Sequence, residues 1–300
     1  MPTVRQIEYF LAVSELRHFG RAAQSCNVSQ PTLSHQLRAL EDRLGTILID
    51  RATHSVELTP IGREIAERAK RVLLEIRDIR ALAARSRNQL TGIVRFGVTP
   101  TLGPYLLPAI IGGLHAEQPG LRLYIRDGIP IEQARDLVAG RLDMMVGPAP
   151  VVGEDLEVLP LFEEPMTIVA PRNHHLANER QIDRSDLAGE RFLTLDPRHH
   201  YHQQVQRACA EFGAEILHDY EGTSLDGIHQ MVGSGVGLAI LPELYLRSDV
   251  GGDALVVRLK VDKWRCSREI VAAWRAKSAS AGDYRLLAER IRDQALSLLG

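Results

Sequence analysis

HFGRAAQSCNVSQPTLSHQLRALEDRLGTILIDRATHSVELTPIG, residues 18–62, decides how the N-terminal part of this chain folds. The stretch reads as two short helices joined by a turn, then a hairpin whose second strand runs into a Thr-Pro helix start. That is a winged helix-turn-helix, a device that presents one helix to a groove of DNA. Arg21, Ala22 and Ala23 open a small-residue helix, and Asn27-Val28-Ser29 makes the turn. Ser29 is a capping residue, and the second helix begins at Gln30-Pro31, where proline lacks only an N–H that would go unpaired. Gln30, Pro31, Thr32, Ser34 and His35 occupy its first turns, with side chains placed to meet base edges and phosphates. Leu33, Leu37, Leu40 and Leu44 recur at helical spacing and are expected to face inward. Arg38 and Arg43 add positive charge, and Arg51, beside Thr53 and His54, is expected to supply a further contact at the wing. The predicted DNA-reading set is therefore Ser29, Gln30, Pro31, Thr32, Ser34, His35, Arg38, Arg51 and Thr53. The bland alternative for such a degenerate string is an ordinary helical hairpin.

Three hundred residues suffice for about two domains and a sizeable core. No stretch approaches a membrane span, and MPTVRQIEYF lacks the charged-then-apolar pattern of a secretion signal. Cys26, Cys209 and Cys266 form neither a disulfide framework nor a zinc spacing, so a cytoplasmic protein is expected. Residues 1–90 hold 14 Lys+Arg against 10 Asp+Glu, whereas residues 91–300 hold 22 against 28. The positive end is the one with the helix-turn-helix, but it is only modestly basic. Salt-sensitive DNA binding that depends on several copies acting together follows from that.

After Thr59-Pro60, the residues Ile61, Ile65, Arg68/Ala69, Val72, Ile76, Ile79 and Ala83 step by threes and fours, which predicts a long helix with one apolar seam. It either packs on its own domain or pairs with another helix; its length and narrow stripe favour pairing. Leu90-Thr91-Gly92 ends it. From Ile93 the texture becomes α/β alternation with parallel sheet: strands at 94–98, 121–125, 143–146, 166–169 and 270–272, and helices at 103–118, 131–140, 200–212, 225–233, 242–245 and 281–299.

Several helix starts are marked by a hydroxyl, a proline or an Asp: Val98-Thr99-Pro100-Thr101, Gly128-Ile129-Pro130-Ile131, Leu195-Asp196-Pro197 and Gly222-Thr223-Ser224-Leu225. Where such starts converge, their free N–H groups and dipoles favour an anion or carboxylate, with hydroxyls from Thr99, Thr101, Thr223 and Ser224 adding bonds. The alternative is that these side chains merely cap their own helices. No nucleophile–base–orienter set, phosphate loop, metal motif or cofactor motif is present, which argues against an enzyme.

The pattern Ala22-Ala23, Ser29-Gln30-Pro31-Thr32-Leu33-Ser34, Leu40-Glu41, Leu44-Gly45 and Leu58-Thr59-Pro60-Ile61-Gly62 resembles the LysR-type transcriptional regulators, and the resemblance extends along the whole chain. Arg17-His18-Phe19, residues 100–108 (PTLGPYLLP) and residues 160–166 (PLFEEPM) are similar to the peroxide-sensing subgroup of that family. The resemblance implies a winged helix-turn-helix at 1–60, a linker and dimerisation helix at 61–90, and a periplasmic-binding-protein-like effector domain at 91–300. Its lobes would be 91–161 with 267–300, and 162–266, the chain crossing near 161 and 267. It also implies a homodimer through the linker helix, a homotetramer, an approximately palindromic double-stranded DNA site, and a small-molecule effector between the lobes. Thr99, Thr101, Pro130, Pro148, His199, His200, His202, Thr223 and Ser224 are the expected effector contacts.

Within LDPRHHYHQQVQRACAEFG, residues 195–213, the chain departs from that subgroup. His200 stands where the resemblance puts the peroxide-reactive cysteine, and Cys209 matches the resolving one. An imidazole forms neither a sulfenic acid nor a disulfide, so the disulfide switch is expected to be absent. Cys209 is either a reactive thiol or a small packed residue. The cluster His199, His200 and His202 is open to several readings: contact with an anionic effector, pH sensing, ligation of a transition metal, or simply a solvated or packed loop. His174 and His175 read as an exposed loop. At the wing, His54 and Ser55 replace basic residues that the subgroup tends to carry. The leading expectation is a regulator controlled by a small, anionic effector. The alternatives are an oxidant-responsive regulator without the disulfide, a metal-responsive one through the histidine cluster, and, from residues 91–300 alone, a solute-binding protein.

Overall fold

The computed structural model describes residues 1–50, 56–85, 92–222, 224–248 and 255–300. Arg51, Thr53, His54, Ser55 and Thr223, to which the sequence reading assigned roles, lie outside the described residues, as does the predicted helix stop at Leu90-Thr91. The chain divides into two compact units, Met1–Ser86 and Arg87–Gly300.

The first unit begins with a helix that the sequence reading did not predict, α1 (Val4–Leu16). Its signal is a capping box: the Thr3 hydroxyl accepts from the Gln6 N–H at 3.2 Å, and the Thr3 N–H donates to Gln6 Oε1 at 3.1 Å. Then follow α2 (Phe19–Ser25), α3 (Gln30–Leu44), a short antiparallel pair β1 (Ile49–Asp50) and β2 (Glu57–Leu58), and α4 (Pro60–Arg85). Tyr9, Phe10 and Val13 of α1 meet Ala22 and Ala23 of α2 and Leu33, Leu37 and Leu40 of α3 in one core. Leu44, expected inside, is 38% exposed. It is the last residue of α3, beyond the packed core, and Gly45 turns the chain away in the left-handed conformation (φ 67°). Glu41 is buried because its Oε1 accepts from the N–H groups of Leu48 (2.9 Å) and Ile49 (3.2 Å), which sets β1 against α3.

Thr59 starts α4, accepting from Gly62 N at 3.0 Å and donating to Ile47 O at 2.8 Å. Gly62 is required there: a Cβ would stand 2.1 Å from the Leu48 carbonyl oxygen. Two stripes run along α4. Gly62, Ala66, Ala69 and Leu73 face the core of their own unit. Ile61, Val72 and Ile79 are exposed and Ile76 half-buried on a stripe turned roughly 90° away at about 100° per residue, while the half-buried Ile65 lies between the two and also packs on that core. Packing on its own domain and an outward apolar seam are therefore both present, on different residues.

In the second unit the elements are β3 (Gly92–Val98), α5 (Gly103–Glu117), β4 (Leu121–Asp127), α6 (Pro130–Val138), β5 (Met144–Pro148), β6 (Leu156–Pro171), β7 (Arg191–Leu195), α7 (His200–Phe212), β8 (Glu215–Gly222), α8 (Leu225–Gly233), β9 (Ala239–Pro242), α9 (Glu243–Arg247), β10 (Val256–Leu259), β11 (Cys266–Arg275) and α10 (Ala281–Leu299). The main sheet runs β10-β6-β11-β5-β3-β4, with β9 also on β6, while β7 and β8 pair separately. The sheet is mixed rather than parallel throughout: β3 is parallel to β4 and β5, but β11 is antiparallel to β5 and β6. The predicted strand at 166–169 is only the end of a 16-residue strand, β6, which pairs with β11 across a register shift at Ile270/Val271.

These two strands join two cores. One is built from Val94, Phe96, Leu106, Met144, Ile270, Trp274 and Ile291, with Leu244 joining it; the other from Ile168, Phe192, Val205, Ile228, Ile240 and Val256. This is the bilobed α/β arrangement of periplasmic solute-binding proteins, following a winged helix-turn-helix.

Candidate functional site

Ser29 caps α3, accepting from Thr32 N at 3.3 Å, and its hydroxyl lies 2.8 Å from that of Thr32. With Leu33, Leu37 and Leu40 turned into the core, Gln30, Pro31, Thr32, His35 and Arg38 are exposed and Ser34 is half-buried. Arg38 makes no hydrogen bond or ion pair among the described residues, so its charge is available to a partner. Arg43 is differently used: its Nη1 donates to Met1 O at 2.9 Å and Gln6 Oε1 at 3.0 Å, tying α3 to α1. The first unit thus offers a capped helix whose outer face is polar and cationic, in the geometry by which such helices enter a major groove.

In the second unit the expected effector residues that are described fall at strand ends and helix starts. Thr99 and Thr101 lie between β3 and α5, Pro130 is the first residue of α6, and Pro148 ends β5. His199 is the N-cap of α7, His200 its first residue, and Ser224 caps α8, accepting from Gly227 N at 3.1 Å. His200 brings the lobes together: its Nδ1 is 3.3 Å from the carbonyl oxygen of Pro148. Burial holds the pKa of His199 below the ordinary imidazole value, with Asp196 pulling it partly back; burial does the same to His200, offset in part by the Pro148 carbonyl. Both rings are therefore uncharged at neutral pH, and His200 donates from Nδ1 and keeps Nε2 as an acceptor. His202 turns elsewhere, its Nδ1 lying 3.1 Å from Leu195 O and 3.4 Å from Thr194 Oγ1. The ligand atoms of His199, His200 and His202 do not converge as a metal site requires. Arg198 is held by Asp196, whose carboxyl it draws down to about 2 through side-chain and backbone hydrogen bonds.

Thr99 is buried, and its Oγ1 has no partner among the described residues. Thr101 is also buried, but its oxygens are engaged: Arg268 donates from Nη1 to Oγ1 and from Nη2 to the carbonyl, both at 2.9 Å. Arg268 Nε donates to Glu164 Oε2 at 2.8 Å, and Glu164 Oε1 accepts from Leu244 N at 3.0 Å. This network clamps β6, β11, the β3–α5 loop and α9 at the junction of the lobes. A second link across the junction is Tyr105 of α5, whose hydroxyl reaches Asp226 Oδ2 of α8 at 3.5 Å. Neither Arg268 nor Glu164 was read from the sequence. They are 104 residues apart, in strands where a charge ordinarily marks the solvent face.

Cys209 is packed in the core of the second lobe, and burial raises its thiol to about 11. The described cysteines are all free.

A winged helix-turn-helix on one unit and a bilobed ligand-binding fold on the other define the class of DNA-binding transcriptional regulators. Residues 4–63 match the bacterial regulatory helix-turn-helix protein, lysR family, and residues 87–296 match the LysR substrate binding domain. The chain belongs to the LysR family. It is 37% identical over 290 residues to the hydrogen peroxide-inducible genes activator of Pectobacterium carotovorum subsp. carotovorum, covering 97% of this chain and 96% of that one. It is also 37% identical over 289 residues to the DNA-binding transcriptional dual regulator OxyR of Escherichia coli (strain K12), covering 96% and 94%. Its fold is similar to a full-length OxyR variant from Pseudomonas aeruginosa (TM-score 0.78, 33% identity, 97% of this chain and 94% of that one). A hydrogen-peroxide-bound OxyR mutant from Corynebacterium glutamicum is also similar (TM-score 0.67, 26% identity, 100% and 94%). Among the described residues no helix is long and apolar enough to cross a membrane.

Proposed function

We propose that this LysR-family regulator is switched by a small anionic molecule bound between the lobes of residues 91–300, without a disulfide. One observation carries the reading: His200 begins α7 and contacts Pro148 O across the lobes at 3.3 Å. It is also the position that the family resemblance gives to the reactive cysteine of peroxide sensors. An imidazole there is a hydrogen-bonding group at the contact between the lobes, not a redox group. The starts of α6, α7 and α8 supply N–H groups and positive dipole ends for a carboxylate or phosphate. An anion beside His199 and His200 raises their depressed pKa values, so its binding takes up protons and tightens as pH falls. The outward seam of α4 supports a homodimer, and hence two recognition helices on an approximately palindromic site, in an assembly that includes a homotetramer. Placement in the cytoplasm, with the DNA, is part of the same proposal.

The oxidant-responsive alternative is favoured by the relatives' names, since the two relatives described above are a hydrogen peroxide-inducible genes activator and OxyR. Against it, a thiol at about 11 is almost wholly protonated at neutral pH and is a poor nucleophile.

Thermal stability of the full chain against a panel of small carboxylates and phosphates, and against peroxide followed by reductant, tests both. Stabilisation by an anion that weakens in His200→Ala supports the proposal. A reductant-reversible peroxide shift that disappears in Cys209→Ala, with no response to any anion, overturns it.

A further inference from the structure

Three metal-ligating side chains meet on the second lobe, apart from the residues assigned to DNA or effector. His174 and His175 lie where the chain leaving β6 enters a 3-10 turn (His175–Asn178), and Glu190 immediately precedes β7. His174 Nε2 is 3.3 Å from Glu190 Oε2, and His175 Nε2 is 3.5 Å from Glu190 Oε1. Ligand atoms from all three residues lie within 4.8 Å of one another, the one group of three among the described residues to do so. The two imidazole rings lie 4.4 Å apart between centroids, tilted by 35°.

The distances are informative. A charge-assisted N–H···O bond settles near 2.7–2.9 Å, so 3.3 and 3.5 Å are long for hydrogen bonds. Zinc bonds of about 2.0–2.1 Å to nitrogen and oxygen place neighbouring ligand atoms roughly 3.3–3.4 Å apart, which the His174 Nε2–Glu190 Oε2 pair already matches; His175 meets the other carboxylate oxygen and must shift to complete the set around one ion. Burial suits a half-open site, with the side chains of His174 and Glu190 14% and 19% exposed and that of His175 66%. Glu190 is fixed at its backbone, its carbonyl accepting from Glu215 N at 2.8 Å and its N–H donating to Leu187 O at 3.1 Å. His174 Nδ1 accepts from Leu176 N at 3.3 Å, so ligation through Nε2 requires the ring proton to move to Nδ1 and that long contact to open.

We propose that His174, His175 and Glu190 bind one divalent transition-metal ion of the zinc class, with a fourth position open to water or to a ligand from another molecule. Two imidazoles and a carboxylate are the donor set for such an ion, and only the exposed His175 ring must close in on the other two. The bound ion ties the turn after β6 to the start of β7, so it stabilises the second lobe without involving the interlobe contact of His200.

The test is calorimetric titration of chelator-stripped full-length protein with zinc chloride, repeated for His175→Ala, Glu190→Gln and His200→Ala. Cobalt(II) serves as a second probe, because its visible absorption reports a tetrahedral site. One equivalent of zinc per chain is expected. His175→Ala and Glu190→Gln should weaken it by more than the roughly 10- to 100-fold that loss of an outer-shell partner costs, and His175→Ala should abolish the cobalt band. Affinity in His200→Ala should match the parent. Absence of stoichiometric binding, an affinity unchanged in both ligand variants, or a loss confined to His200→Ala overturns the assignment.

Discussion

Replacing Arg268 by methionine removes the centre of the interlobe clamp while keeping its bulk. The Arg268 side chain is 1% exposed and that of Glu164 0%, so the variant leaves a carboxylate in the interior with only the Leu244 N–H described as bonding it. It also strips the Thr101 hydroxyl and carbonyl of two 2.9 Å bonds. Breaking a buried pair from one side costs about 3–5 kcal/mol, because the remaining charge is left desolvated. In a unit of this size each kcal/mol moves the midpoint by about 2–4 °C, so a fall of roughly 6–20 °C is expected in the thermal transition of the effector unit followed by circular dichroism. The paired variant Glu164→Gln/Arg268→Met should recover a large part of that loss, since no unpaired charge remains. A fall below about 3 °C, or a double variant no more stable than the single one, would refute the view that the pair is a buried, mutually dependent clamp.

Arg38→Ala should lower operator affinity and reduce the slope of log affinity against log salt by about one, measured by fluorescence anisotropy; an unchanged slope removes Arg38 from the phosphate contacts. Gly62→Ala puts a Cβ at 2.1 Å from the Leu48 carbonyl oxygen and should destabilise the first unit by about 1–3 kcal/mol or more in urea denaturation. Parental stability there would mean that the wing and α4 do not meet as closely as described. His199 and His200 have depressed pKa values, so below the ordinary imidazole value of about 6.5 the unfolded chain takes up protons that the folded chain refuses. Stability should hold above pH 7 and fall as pH drops through 6.5, and His199→Gln/His200→Gln should flatten that fall in a pH series of melts; an identical slope in the variant assigns the effect to other groups.

Local chemistry made much of this legible. Caps and periodicity placed α7, α8 and α10 at His200–Phe212, Leu225–Gly233 and Ala281–Leu299, and α3 with its Ser29 cap, because each signal lies within a few residues of the boundary it sets. The same kind of signal, Thr3 with Gln6, marks α1 and went unread. Strands β7 to β10 carry no clear local signal, since their pairing is decided by distant partners rather than by their own alternation. Contacts across the lobes were hidden for a related reason. Arg268 and Glu164 look like surface charges until the fold brings them together, and Glu190 carries no local sign that it faces two histidines 15 and 16 residues earlier. Leu44 shows the converse: the stripe was read correctly, but the core ends before the helix does.

The separation of the two stripes on α4 has an evolutionary consequence. Gly62, Ala66 and Ala69 answer to the folding of their own module, whereas Ile61, Val72 and Ile79 are not held by it. Mutations can therefore accumulate along the second set at little cost to the DNA reader. Under the proposed pairing through that seam, the choice of partner can drift along the free edge while the head stays equally well packed.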